Sequence, residues 1–282
     1  MSKNEGVAVV KNEKAQLAER FTGKVLACYG EISAKAEFTS SEKELIAGYF
    51  VKIDESLKDQ SISWRELEEN GKMNEIAISL SNKAMLGLDM RIDNHFFVIP
   101  SRNKKNGKIT IKYITGYKGE KHIAMQFAIT KPLDIIAELV YSTDEFEPIK
   151  SPDGDSYVLK ITNAFSRGEI IGGFAYIKND DERLNRIFEL SIQKILERKP
   201  TYVWDNDNFW AKHPEAMYKK TLIKEACKNI DIDVNKIKEF RNVLDFEAAE
   251  QLEQEKVDAQ EVAKEETGTG DIVDVEYSEI VE

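Results

Sequence analysis

Between Ser101 and Lys121 the chain sets Arg102, Lys104, Lys105, Lys108, Lys112, Lys118 and Lys121 against a single acid, Glu120. Cations at this density can neutralise successive phosphates and release their condensed counterions, the term that dominates sequence-independent binding of nucleic acid. Tyr117, next to Lys118, adds a ring on which a base can stack, worth roughly 1–3 kcal/mol where such stacking occurs. The same run also reads as a lysine-rich hairpin kept soluble by its charge, and composition does not choose between the two. A second concentration of charge lies in NFWAKHPEAMYKKTLIKEACK (208–228). On a helical wheel, Ala216, Leu222, Ile223, Ala226, Cys227 and Ile230 form an apolar arc, with Lys220, Lys224 and Lys228 as a stripe beside it. Lys219 falls inside the arc, so it must snorkel, pair with an acid or reach a ligand. The stripe by itself reads better as a solvated face, an explanation that serves Lys219 less well. Phe209 and Trp210 read as core anchors, and His213 as a helix-start residue.

Enzyme chemistry has thinner support. Asp205, Asp207 and Glu215 are oxygen donors of the kind that hold Mg²⁺, which keeps a metal-dependent nuclease open; Glu215 is explained equally by the dipole of the helix it opens. The chain contains neither G-x-x-x-x-G-K-[ST] nor G-x-G-x-x-G, the phosphate-cradling loops of nucleotide enzymes, and no G-x-S-x-G elbow. The spacing of His95, His122 and His213 proposes no triad.

The formal net charge is −11 over 282 residues. Residues 247–282 hold 13 acids against Lys256 and Lys264, which leaves 38 basic and 38 acidic side chains in residues 1–246. The body is therefore neutral, and an acidic total does not exclude a polyanion-binding face on it. No apolar run approaches the roughly 20 residues that cross a bilayer, and the N-terminus lacks a signal-peptide block. Cys28 and Cys227 give neither a disulfide framework nor zinc spacing. A reducing cytoplasm is the expected setting.

These residues need elements to position them. Residues 1–20 are polar and expected to be frayed or loosely helical; 21–58 read as helical, with Ser40 or Ser41 as a cap and Glu44 completing a capping box with Ser41. Residues 73–88 predict an amphipathic helix that stops near Gly87. NHFFVIP (94–100) and KITIKYI (108–114) predict two strands of a hairpin, with Ile109, Ile111 and Tyr113 on one face. GYKG (116–119) then breaks the strand ahead of a helix. Further strands are expected at 135–143, 157–165 and 169–179, and 186–199 starts extended and ends helical. A helix spans 214–230, with Pro214 suited to its first turn. The expected organisation is an α+β domain, 21–246, made of N-terminal helices (21–90) and a core (91–246), followed by an acidic, largely disordered tail at 247–282.

Three segments, in order, resemble the RecT family of phage and prophage single-strand annealing proteins. NKAMLGLDMRIDNHFFVIP (82–100) is similar to the family's helix, leucine-glycine-leucine step and proline-closed strand. KITIKYITGYKGEKHIA (108–124) is similar to its strand, glycine-tyrosine-basic-glycine turn and helix. FWAKHPEAMYKKTLIKEACK (209–228) is similar to its tryptophan, glutamate-x-methionine and lysine-lysine-threonine helix. The likeness covers about 75–235. The chain departs from it at Lys118, where relatives often have arginine, at Glu120, where they have an apolar residue, and at Lys224–Glu225, where paired basic residues are common.

The resemblance implies a small antiparallel sheet with packed helices, distantly like the Rad52 annealing core. It implies ATP-independent binding of single-stranded DNA and its annealing to a complementary strand during recombination, with no bond-making chemistry. It further implies a homo-oligomer, ring or filament, in a bacterial cytoplasm, with no cofactor required and Mg²⁺ at most an aid to annealing. The tail is expected either to compete with DNA for the groove or to dock a partner such as a phage exonuclease or a host single-strand binding protein, and it reads equally as a plain solubilising segment. DNA-backbone contacts are expected from Arg102, Lys104, Lys105, Lys108, Lys112, Lys118, Lys121, Lys219, Lys220 and Lys224, with Tyr117 as a stacking or wedge residue. A nuclease and a scaffold that does not bind DNA are the rival readings.

Overall fold

The computed structural model describes residues 2–33, 37–103, 106–199 and 209–233. The chain divides into Met1–Ile237 and Lys238–Glu282, and all described residues belong to the first unit. Lys104, Lys105, Asp205, Asp207 and the acidic tail lie outside them.

Four helices come first: α1 (Ser2–Ser33), α2 (Ser40–Asp59), α3 (Trp64–Glu69) and α4 (Lys72–Met85). The helix α1 is continuous from Ser2 and shows no break at residue 20. Phe21, Val25 and Tyr29 recur every fourth position on it, so one face is buried. Phe21 meets Phe50 and Trp64 at ring-centroid distances of 5.6 and 5.3 Å, and Phe50 stacks on Trp64 at 5.0 Å. The cap of α2 is Thr39, whose hydroxyl accepts from the Glu42 amide while Glu42 accepts from the Thr39 amide. The expected Ser40/Ser41–Glu44 box is thus displaced, because Thr39 takes the extended backbone that a cap requires. Buried Asp54 joins three elements: it accepts from Lys14 Nζ (2.6 Å) on α1, Lys58 Nζ (2.6 Å) on α2 and Trp64 Nε1 (3.1 Å) on α3.

The predicted hairpin follows as β1 (Phe96–Arg102) and β2 (Ile109–Thr115), antiparallel with Phe96 opposite Thr115 and Pro100 opposite Ile111. Its inner face, which includes Phe96, Val98, Ile109 and Ile111, is buried. Phe96 meets Tyr49 of α2 edge-on at 5.3 Å. Strict alternation made this hairpin legible.

A three-stranded antiparallel sheet has the order β3 (Asp134–Tyr141), β6 (Ile170–Lys178), β7 (Arg186–Ser191). One face packs Ile135, Leu139, Ala175, Ile177 and Leu190 against α5 (Tyr117–Phe127), α6 (Ile192–Leu196) and α8 (Pro214–Lys228). The other face carries a second hairpin, β4 (Glu145–Ile149) with β5 (Ser156–Lys160), whose Phe146 stacks on Phe174 at 4.8 Å. The fold is the expected α+β arrangement of helices and small antiparallel sheets. Strand β5 stops at Lys160 instead of running to 165, because residues 161–169 turn away as an exposed loop. A short helix, α7 (Phe209–Lys212), precedes α8.

Candidate nucleic-acid interface

The turn between β2 and α5 is a close approach of two backbone segments. A Cβ on Gly116 or Gly119 would overlap the carbonyl of Asn94 or His95 respectively, so only glycine fits at either position. The amides of Lys118 and Gly119 donate to Asn94 O (3.1 and 3.3 Å), and the Gly116 amide donates to His95 O (2.9 Å). Residues 82–100 and 108–124 therefore meet face to face, and the first amides of α5 are already satisfied. Lys118 stands exposed on this turn, and Tyr117 is half-buried.

Beneath the turn lies an arrangement that spacing alone could not reveal. His95 and His122 are in edge contact at 4.9 Å. His95 Nδ1 accepts from the Asp89 amide at 2.9 Å. Burial lowers the pKa of both imidazoles, and for His95 the neighbouring His122 and Lys118 add to the effect against Asp89. Gly87, at φ +68°, gives His122 room, since a Cβ there would lie 2.9 Å from Nε2. Lys83, only 2% exposed, donates to Thr115 Oγ1 at 2.9 Å. These groups fix the corner from which the candidate cations project.

The cations divide into two groups. At the turn end of the β1–β2 hairpin are Arg102, whose Nη2 is 2.7 Å from Glu66 Oε1, and exposed Lys108. At the other end, six residue steps and about 20 Å along the strand, the start of α5 meets α8. Here Lys224 Nζ lies 2.7 Å from Glu120 Oε1, and Lys121 Nζ lies 2.6 Å from Asp134 Oδ1. Lys220 is half-buried. Its pKa is lowered by burial first and then by Lys224, with Glu120 opposing. Half-buried Lys112 stands between the two groups, opposite Ile99.

Lys219, the lysine inside the predicted apolar arc, takes the acid-pairing option: its Nζ is 2.9 Å from Glu138 Oε2 on β3, one of the two edge strands of its sheet. Ala216, placed in the same arc, is exposed, because the buried face of α8 is narrower and centres on Thr221, Leu222 and Ala226. Gly173 of β6 lets α8 come close; a Cβ there would lie 2.6 Å from Leu222 Cδ1. Among the described residues, Lys108, Lys118 and Lys220 make no ion pair.

The α5–α8 junction thus gathers Lys220 and Lys224 around Glu120, with Lys121 beside them on Asp134 and Lys118 exposed at the same helix start. Glu215 lies near the Tyr141 hydroxyl, whose pKa is raised by burial first and then by this carboxylate. Among the described residues no group of three or more acids, histidines and cysteines could hold a metal ion.

A family model described as RecT family matches residues 53–262. The chain belongs to the RecT family. The match is wider than the stretch covered by the sequence motifs: it takes in the end of α2 and all of α3, where no motif stands out. A search of curated proteins gives no match. RecT membership implies phage-type single-strand annealing in recombination, by proteins that anneal strands and are not catalysts. No helix among the described residues is long and apolar enough to cross a membrane.

Proposed function

We propose that this RecT-family chain binds single-stranded DNA without ATP and anneals it to its complement while assembled with further copies of itself. The observation that supports this reading is the α5–α8 junction, where Lys220 and Lys224 share Glu120, with Lys121 next along α5 on Asp134 and Lys118 exposed nearby. A phosphate entering the junction takes over Glu120's role toward Lys224 and offers an anion to Lys220, which burial makes costly to keep charged without a counter-charge. Lys118 and Lys121 extend the track towards the hairpin, and Lys112 and Lys108 carry it along β2. Lys104, Lys105 and Arg102 would contribute at the hairpin turn, and Lys219 at the edge of β3. Contacts of this kind go to the backbone and leave the Watson–Crick edges open to a second strand. Tyr117 supplies a ring beside the track. Mg²⁺ is an aid through screening between the two strands and not a requirement. The acidic tail is the proposed dock for an exonuclease or a single-strand binding protein.

The test is a salt titration of single-strand binding together with a strand-annealing assay. Replacing Lys118 and Lys220 by alanine is expected to slow annealing and to flatten log K against log salt by about 0.7 for each phosphate no longer neutralised. Unchanged annealing with an unchanged slope would remove the junction from the DNA path. Cleavage of labelled single strands in Mg²⁺ by the wild-type chain would replace annealing with nuclease chemistry.

A further inference from the structure

Asparagine followed by glycine occurs twice in the chain, at Asn70–Gly71 and at Asn106–Gly107. The dipeptide is chemically labile, because glycine has no side chain to keep its backbone nitrogen away from the asparagine carboxamide. The two copies are closely matched. Both asparagines and both glycines are exposed, and the glycines share a left-handed backbone at φ +68° and +69°. A Cβ on either glycine would meet nothing within 4 Å. Each glycine amide is held by a backbone carbonyl, Gly71 by Glu68 O (3.0 Å) and Gly107 by Asn103 O (2.8 Å).

The asparagine side chains differ. Asn70 Nδ2 donates back to Glu66 O at 2.7 Å, which ties the carboxamide to the end of α3 and engages the nitrogen that would have to leave. Asn106 turns its carboxamide forward, and Oδ1 accepts from the Lys108 amide at 2.9 Å. This turn folds Cγ over the Asn106–Gly107 peptide, the approach that attack by the Gly107 nitrogen needs. The Lys108 N–H also stands at the oxygen on which negative charge develops during that attack. Charge acts in the same direction. Lys108 is exposed two residues on, whereas Asn70 directly follows Glu68 and Glu69. A cation favours the deprotonated, attacking amide, and acids disfavour it.

We propose that Asn106 is a self-modifying position, converted to aspartate and isoaspartate in the folded chain with water as the co-reactant. The Gly107 nitrogen gives its proton to solvent and bonds to Asn106 Cγ. The Cγ–Nδ2 bond breaks, and the departing nitrogen keeps the electron pair, takes a proton from solvent and leaves as ammonia. Water then opens the cyclic imide. Cleavage between Cγ and the nitrogen gives aspartate; cleavage at the main-chain carbonyl of residue 106 routes the chain through Cβ and Cγ as isoaspartate. No oxidant or reductant is involved. Either product sets a carboxylate at the hairpin end that carries Arg102 and Lys108, and the change runs one way. The conversion stands on the turn geometry alone, while its effect on DNA rests on the proposed function.

The experiment is peptide mapping by mass spectrometry on full-length chain held in warm, mildly alkaline buffer, native and in urea, with synthetic aspartyl and isoaspartyl peptides as standards. In the native chain, acid is expected to accumulate at Asn106 roughly tenfold faster than at Asn70, or more. In urea both side chains lose these contacts, and the two rates are expected to converge. Equal rates in the native chain, a faster Asn70, or a tenfold difference that persists in urea overturns the proposal. Asn106→Asp supplies the aspartate product throughout a sample. It is expected to bind single strands several-fold more weakly than wild type and to flatten log K against log salt by about 0.7. Unchanged affinity and slope in that variant would overturn the effect on DNA and take the hairpin end off the DNA path. Because the conversion is measured without DNA, the two readings fail separately.

Discussion

Lys224 and Glu120 face one another across the contact between α5 and α8, with 2.7 Å between Nζ and Oε1. Lys220, lowered in pKa by burial and by Lys224, is supported by the same carboxylate. One acid therefore serves two lysines at the place where phosphate is proposed to bind, and it competes with the ligand.

Replacing Glu120 with glutamine removes that competitor. Single-strand affinity is expected to rise several-fold, and the salt slope to steepen by about 0.7, the equivalent of one further phosphate neutralised. Fluorescence anisotropy over a salt series measures both. A decrease in affinity would mean that Glu120 organises the lysines more than it blocks them.

Lys220 makes a pH prediction with a definite sign. Its folded pKa lies below the ordinary lysine value, so on approach to that value from below the unfolded chain holds more protons than the folded one. Stability contributed by this residue therefore rises with pH through that window. The change in denaturant midpoint from about pH 8 to about pH 10 should be more positive in wild type than in Lys220→Met. The same variant should bind single strands more weakly at both pH values.

Asp54 predicts the opposite side of the pH scale. Burial raises its pKa, but the hydrogen bonds from Lys14, Lys58 and Trp64 outweigh burial and the net shift is downward. Its contribution is present above the ordinary aspartate value and lost as pH falls through the lower folded one. Asp54→Ala leaves Trp64 Nε1 without its acceptor and is expected to destabilise by about 1–3 kcal/mol, measured by denaturant melts at neutral pH. Because Asp54 lies in the helical layer, DNA affinity per folded molecule should not change.

Two glycines give a matched contrast. Gly119→Ala places a Cβ on the backbone carbonyl of His95 and is expected to prevent the β2–α5 turn from closing, with loss of cooperative melting. Gly23, inside α1, has open space for 4 Å around the position a Cβ would take, and Gly23→Ala is expected to stabilise by about 0.5–1 kcal/mol. Thermal melts of the two variants side by side decide the point.

Much of this was legible in the residues. The β1–β2 hairpin was, because Ile109, Ile111 and Tyr113 alternate strictly with polar neighbours, and α8 was, because Pro214 opens a run with helical spacing. Strand β4 was not: EFEPI carries two acids and a proline, and only Phe146 marks its inner face. The Lys219–Glu138 and Lys224–Glu120 pairs join residues far apart in the chain, and no local pattern announces such a contact. Lys219 was anomalous on the wheel for a sound reason, but the anomaly alone could not name its partner. The His95–His122 contact was hidden in the same way. Phe165 has the surroundings of a strand residue in the sequence, and it is Asn163 that turns the chain before it.

The cross-element ion pairs also bear on how a strand leaves. Arg102, Lys121, Lys219 and Lys224 each have a carboxylate within 3 Å, supplied by Glu66, Asp134, Glu138 and Glu120. On the proposed DNA path, a departing phosphate would leave none of these cations bare, because the acid would close back onto it. Under that proposal escape would proceed one nucleotide at a time with these four cations neutralised throughout, and a finished duplex would be let go without a high barrier.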